Sequence, residues 1–352
     1  MKTPSAKPRK AASARRSHSR GFALPLTVLP MEARVEHEVP AQDGGWRYEP
    51  KWDGFRCLAF KARNAVELRA KSGKGLGRFF PEVVMALHEL PIERFVVDGE
   101  LVIEIGGRAS FEALQMRLHP AASRILKLST QTPARLVLFD MLVAPDGKPL
   151  TDRPLRERRG ALEAFIRRAG VPSVLALSPF TERLADAKRW LRQSGRGRYD
   201  GVVAKRADEP YQSGERAMVK VKRLRTADCV VGGFRYQSAQ RQVGSLLLGL
   251  YDDDGKLDHV GFTSTIADRE RADLTRKLEA LRHAPGFTGN APGGPSRWST
   301  DRSAAWEPLQ PALVVEVRFD QVTGHRFRHG TKLLRWRPDK APQQCTFAQL
   351  RA

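Results

Sequence analysis

Lys51-Trp52-Asp53-Gly54-Phe55-Arg56 sets a lysine, a carboxylate, a glycine and an arginine between two apolar runs. Trp46-Arg47-Tyr48-Glu49-Pro50 before it reads as a strand ending at the proline. Cys57-Leu58-Ala59-Phe60 after it reads as the next strand. Lys51 is therefore expected on a loop, held by Pro50 on one side and freed by Gly54 on the other. A lysine so placed becomes a nucleophile if neighbouring cations suppress its charge. The plain alternative is a surface lysine in a turn, because Lys-x-Asp-Gly arises by chance in about one chain in ten of this length. Phosphate and metal ligands elsewhere in the chain decide between the two.

Working outward, the pattern from Trp46 to Lys71 is β, with a hairpin turn near Asn64. Val83, Val84, Leu87 and Leu90 space a short helix over 81–90. Residues 94–105 alternate as a strand turned by Gly106-Gly107, and Ser110 caps a helix running to about Leu118. Residues 135–143 form a short apolar run, read as a buried strand. Helices are expected over 154–168, closed by Gly170, and over 181–192. Strands follow at 201–205 and 218–222. After the junction Arg223-Leu224-Arg225-Thr226-Ala227 come short β runs at 229–236, 244–251, 257–264 and 312–319. One helix, 268–283, and a Gly/Pro-rich segment, 285–296, interrupt them. About five strands and one helix suit a small barrel of the oligonucleotide-binding type, with a small sandwich as the alternative.

The 352 residues suffice for two domains, and 41% hydrophobic content suffices for a real core. With 61 Lys+Arg against 39 Asp+Glu, the net charge of +22 predicts a polyanionic partner. The alternative is a solvated basic surface. Residues 1–20 hold seven Lys/Arg and no acid, a composition read as a disordered tail following a phosphate backbone, or otherwise as a transit peptide. Cys57, Cys229 and Cys345 show neither zinc spacing nor a disulfide framework, so a reducing, cytoplasmic compartment is expected. No apolar run is long enough for a membrane helix.

Several charged residues are expected at the ends of these strands, where buried charge needs a reason. Asp98-Gly99-Glu100 interrupts 95–103, Asp140 follows Leu136-Val137-Leu138-Phe139, and Asp200 opens Gly201-Val202-Val203-Ala204-Lys205. Lys220 and Lys222 alternate with Val219 and Val221, so they share a face. Taken singly, each is more often structural. Together with Lys51 they form a coherent set, in which Glu100 and Asp200 are hard oxygen ligands suited to Mg²⁺ and the two lysines can neutralise a triphosphate.

On these residues the sequence resembles the covalent nucleotidyltransferases, the polynucleotide ligases and mRNA capping enzymes. Lys51 to Arg56 looks like their motif I, Asp98-Gly99-Glu100 like motif III and Phe139-Asp140 like motif IIIa. Asp200 to Lys205 looks like motif IV, Val219 to Lys222 like motif V and Arg335-Trp336-Arg337-Pro338-Asp339-Lys340 like motif VI. The wording of motifs I and VI, and Cys229-Val230-Val231-Gly232-Gly233-Phe234, is most similar to the bacterial ATP-dependent DNA ligases of C and D type. Six motifs in order over residues 22 to 350 are far more specific than any one. Two positions depart from the pattern: Asp200 stands where Glu is usual, and Ala70-Lys71 where serine-arginine is usual.

The resemblance implies an α+β fold. After the basic tail of 1–20 it places a nucleotidyltransferase (adenylation) domain of antiparallel sheets with helices over 21–224, then an OB-fold barrel over 225–352. It implies an ATP-dependent DNA ligase in which Lys51 takes AMP from ATP, passes it to a 5′-phosphate, and the 3′-hydroxyl then displaces it. By the same resemblance Glu49 contacts the adenine amino group, Phe139 stacks on the base, and Arg56 and Glu100 hold the ribose region. Glu100 and Asp200 serve Mg²⁺ or Mn²⁺, and Lys220 and Lys222 bind the α-phosphate. Arg337 and Lys340 reach the leaving pyrophosphate, while Lys71 and Arg335 contact phosphate or DNA. The implied partners are nicked or broken double-stranded DNA and repair or end-joining proteins, with a monomeric enzyme. NAD is not the expected donor, because an NAD-type leading domain and a four-cysteine module are not seen. An RNA ligase, a GTP-using capping enzyme and a non-catalytic nucleic-acid-binding protein are the competing readings.

Overall fold

The computed structural model describes residues 21–41, 45–170, 173–195, 199–237, 240–293 and 305–351. The basic stretch 1–20 lies outside them. In the first unit the elements run β1 (Ala33–Glu36), β2 (Trp46–Trp52), β3 (Phe55–Ala62), β4 (Ala65–Ala70), α1 (Pro81–Glu89) and β5 (Arg94–Val102). The short hairpin β6 (Glu104–Ile105) and β7 (Arg108–Ala109) precedes α2 (Phe111–Arg117), α3 (Ala122–Gln131) and β8 (Arg135–Val143). Then come α4 (Leu155–Ala169), β9 (Leu175–Leu177), α5 (Leu184–Gln193), β10 (Tyr199–Arg206) and β11 (Met218–Val221).

These strands form two sheets, one in the order β1-β11-β10-β2 and one in the order β4-β3-β5-β8-β9. All pairings along them are antiparallel except β1 with β11 and β8 with β9. Strand β3 is apolar on both faces because both are covered. Cys57 and Ala59 join the core that carries Phe80, Leu87 and Phe165 from the helices. Leu58 and Phe60 join Met218 of the other sheet, with Met31 and Tyr211 from the segments that flank its strands. The first sheet packs its far side on α5 through Tyr48, Val202 and Ala187. The order of layers is therefore helices, sheet, sheet, helix, and a continuous apolar run is what a strand buried on both faces requires. Truncating Phe95 or Phe165, whose rings meet at 4.9 Å, removes a core side chain worth about 3–5 kcal/mol.

Local signals explain most boundaries. Ser110 Oγ accepts from the Ala113 N–H at 3.2 Å and starts α2. Gly170, at φ 66°, ends α4 in the left-handed region. The expected helix over 181–192 starts later, at Leu184, since Thr181 is held out by a bridge to Tyr48. Helix α3 and strands β1 and β9 have no counterpart in the sequence reading. In α3 only Ile125 and Ser129 are buried.

The second unit holds β12 (Arg225–Tyr236), β13 (Val243–Tyr251), β14 (Leu257–Thr263), α6 (Asp268–Ala280), β15 (Glu307–Pro308), β16 (Val314–Phe319), β17 (Val322–Thr323), β18 (Arg326–Phe327) and β19 (Lys332–Trp336). Its main sheet runs β14-β13-β12-β16-β19. A parallel bridge from Thr263 to Thr331 joins the two ends, with Thr263 Oγ1 donating to the Thr331 carbonyl at 2.9 Å. The sheet thus closes into the OB-type barrel around Val231, Phe234, Leu248, Val260 and Val315. Part of the Gly/Pro-rich segment, from 294 on, lies outside the described residues. Among those residues no helix is long and apolar enough to cross a membrane.

Candidate active site

Lys51 lies within β2, not on a loop after it. The reason is an open edge. The Tyr48 N–H donates away from β10, to the Thr181 carbonyl at 2.8 Å. Pro50, two residues on, faces the same edge, so its missing N–H costs no ladder bond with β10. Lys51 pairs with Gly201 across the sheet, and the register shifts between Tyr199 and Gly201. Asp200 is the extra residue of that β-bulge, which turns its carboxylate toward the lysine. Lys51 Nζ donates to Asp200 Oδ2 at 2.6 Å, and Lys222 Nζ reaches the same oxygen at 3.0 Å.

Two glycines hold this contact. At Gly201, with φ +151°, a Cβ would overlap the Val221 carbonyl oxygen, and at Gly54 it would overlap that of Leu101. Only glycine fits either place.

One cavity between the two sheets is lined by Glu49, Lys51, Arg56, Glu100, Phe139 and Lys220, with Lys71 and Lys205 also on its wall. Phe139 is itself the extra residue of a bulge, because β5 pairs Asp98 with Asp140 and Gly99 with Leu138. Two cations lie close to its ring, the Arg56 guanidinium at 4.4 Å and Lys205 Nζ at 4.5 Å from the centroid. Lys205 Nζ also donates to both Glu49 carboxylate oxygens at 2.9 Å. Glu49 and Lys205 thus present an acceptor and a donor side by side, next to an aromatic face.

Asp98 and Asp140 stand in mid-strand rather than at strand ends, and both hold arginines. Arg56 donates to Asp98 through Nε and Nη2, each at 2.6 Å. Burial opposes the charge of Arg56, but Asp98 outweighs it and raises the guanidinium above its ordinary range. Arg158 makes the same fork with Asp140, at 2.8 and 2.9 Å. These buried carboxylates are spent on positioning, since a charge left unpaired there costs several kcal/mol.

Glu100 pairs across the strands with Arg56. Burial pushes its carboxyl up to about 7, against the pull of Lys51 and Arg56. Lys220 is lowered by burial first and then by Lys51, Lys222 and Lys71. Lys222, just past the end of β11, is lowered by burial but raised more strongly by Asp200 and Asp320. The mutual repulsion of four lysines marks a place for several negative charges. Among the described residues no three Asp, Glu, His or Cys cluster into a metal cage. Glu100 and Asp200 still fit Mg²⁺, which takes one or two carboxylates and keeps waters and phosphate oxygens as its other ligands. Lys71, exposed, pairs with Glu32 at 2.9 Å.

The barrel meets the lysine through a different surface from the one expected. Asp320 accepts from Lys222 Nζ at 2.7 Å. Gln321 Nε2 and Arg328 Nη1 both donate to Asp53, each at 2.6 Å. Arg335, on β19, donates to Glu316 at 2.6 Å. Arg337 and Lys340 donate to the two oxygens of Asp228 at 2.9 and 2.6 Å. None of these last three residues lines the cavity that holds Lys51. The structure therefore brings together Lys51, Glu49, Arg56, Glu100, Phe139, Asp200, Lys220 and Lys222, and keeps Arg335, Arg337 and Lys340 apart. Lys205, Asp53 and Asp320 belong to the site without having been singled out. Lys205 had a signal, a lysine at the end of an otherwise apolar strand.

A family model described as ATP dependent DNA ligase domain matches residues 30–222, and one described as ATP dependent DNA ligase C terminal region matches 239–340. The chain is 44% identical over 332 residues to "DNA ligase C1" of Mycolicibacterium smegmatis, covering 92% of this chain and 93% of that protein. It is 31% identical over 305 residues to "Multifunctional non-homologous end joining protein LigD" of Mycobacterium bovis, covering 85% of this chain and 37% of that longer protein. Among solved structures, a Lig E DNA ligase aligns with a TM-score of 0.57 at 17% identity, covering 88% of this chain and all, 100%, of the other. That likeness is one of fold.

Proposed function

Since the chain belongs to the ATP-dependent DNA ligase family, we propose that Lys51 is the residue that carries AMP. The enzyme joins DNA ends at the expense of ATP. The observation that supports Lys51 is its place on the wall of a cavity that also holds an aromatic ring, a carboxylate–lysine pair and further lysines.

In this reading Phe139 stacks on adenine, Glu49 accepts from the adenine amino group, and Arg56 and Glu100 hold the ribose. Lys220 and Lys222 neutralise the α-phosphate as Lys51 attacks it and pyrophosphate leaves. Phosphoryl transfer of this kind needs positioning and charge more than covalent help. Glu100 and Asp200 would hold Mg²⁺, which supplies positive charge to the phosphates. Lys51 must give up Asp200 to reach phosphorus. AMP then passes to a 5′-phosphate, and the 3′-hydroxyl displaces it. The adenylation domain spans 21–224 and the barrel 225–352, hinged at the short link around Leu224. The substrate is nicked or broken double-stranded DNA, and the similarity to an end-joining protein supports a role in repair, within the cytoplasm.

The test is covalent labelling with ATP carrying label on its α-phosphate, read after denaturation. Lys51→Ala loses all label, and so does Lys51→Arg, whose guanidinium stays protonated. A fully labelled Lys51→Ala protein overturns the assignment.

A further inference from the structure

Tyr211 lies on the segment between β10 and β11 and is 5% exposed. Its hydroxyl donates to Asp98 Oδ2 at 2.6 Å and accepts from the Met31 N–H at 2.9 Å. Asp98 in turn grips Arg56 with both oxygens. Arg56 lies against the Phe139 ring on the wall of the nucleotide cavity. A phenylalanine would fill the same space in this core. The hydroxyl is spent on the carboxylate that aims the arginine.

We propose that Tyr211 is a positioning residue for nucleotide binding, acting through Asp98 on Arg56. The inference rests on the reading of Arg56 as a nucleotide contact. A fully buried carboxylate keeps its orientation only while its lone pairs are filled. Arg56 supplies one donor to each oxygen, and the phenol supplies a second to Oδ2. Without the phenol, Asp98 is free to turn, and the guanidinium plane turns with it, off the ring and out of register with the ribose.

The experiment measures lysyl-AMP formation against ATP concentration for the whole chain, for Tyr211→Phe, for Arg56→Ala and for both together. Tyr211→Phe raises KM for ATP about tenfold, the size expected for one charge-assisted hydrogen bond, and leaves kcat within about threefold. Arg56→Ala raises KM by itself, and adding Tyr211→Phe to it raises KM no further, because the two act as one unit. Asp98→Asn, which leaves Tyr211 in place, reproduces the KM rise. An unchanged KM in Tyr211→Phe, or its full factor reappearing in the Arg56→Ala background, overturns the proposal. If Arg56→Ala itself leaves KM unchanged, it is the reading of Arg56 as a nucleotide contact that fails.

Discussion

Arg328 of the barrel donates to Asp53, two residues beyond Lys51, at 2.6 Å, and its guanidinium lies 3.2 Å from the centre of the Phe111 ring. The barrel therefore rests on the turn that follows Lys51. In this arrangement Arg337 and Lys340 are paired with Asp228 and stand away from the cavity that holds Lys51. The arrangement thus suits a step that no longer needs pyrophosphate to leave.

Arg328→Ala should accordingly label with ATP almost normally and fail later. Its sealing of a nick that already carries AMP on the 5′-phosphate should fall by tenfold or more, on the order of 1–3 kcal/mol for a charge-assisted contact. Single-turnover sealing of the pre-adenylated nick measures this. Loss of labelling with sealing intact would show that the contact serves the first step instead.

Arg337→Ala should behave in the opposite way. If the barrel swings to bring Arg337 and Lys340 onto the leaving pyrophosphate, the variant loses lysyl-AMP formation by roughly 10²–10³-fold. It still seals the pre-adenylated nick, which bypasses that step. A variant that labels normally but cannot seal makes Arg337 a DNA contact and removes the case for closure.

The barrel also carries a pH-dependent element. His259 is 5% exposed. Burial, then the Arg326 and Arg235 guanidinium groups, hold its pKa at about 3 against an ordinary 6.5. Its folded value is depressed, so the unfolded chain binds the proton first. Stability contributed by neutral His259 is intact above pH 6.5 and falls steadily as pH drops toward 3. At pH 5 the loss is about 2 kcal/mol. Thermal melts of wild type and His259→Gln at pH 7 and pH 5 should show wild type losing the more. Parallel melting curves would show that the ring titrates normally.

Nick binding should weaken steeply with salt, with a slope of about −0.9 per phosphate neutralised. Residues 1–20 contribute seven of the cations. Deleting them should lower the slope while leaving AMP transfer to Lys51 unchanged. A slope that does not move assigns the tail no part in DNA binding.

Much of the site was legible because motif order and residue chemistry survive without coordinates. Lys51, Phe139 and Lys220 could each be named, and the strand at 135–143 was plain from its apolar run. What could not be read was how single residues depart from regular pairing. Asp200 reaches Lys51 and Phe139 lines the cavity because each is the extra residue of a bulge, and a largely apolar strand gives no sign of one. Pro50 looked like the end of a strand because sequence does not say which edge of a sheet is open. Asp98 and Asp140 stood out only as charges that needed a reason, and the reason for each is an arginine, at 42 and 18 residues' separation. Asp320 and Arg328 act on the site across contacts of 98 and 275 residues, beyond any local pattern.

Gly54 and Gly201 give the site a property of their own. Each leaves main chain directly against the carbonyl of a neighbouring strand, with no side chain between. Side chains hop between rotamers, whereas adjoining backbones hardly move. The spacing of Lys51 and Asp200 is therefore inherited from the framework of the sheets and not from adjustable packing. The strands that carry the two groups are held like parts clamped in one jig.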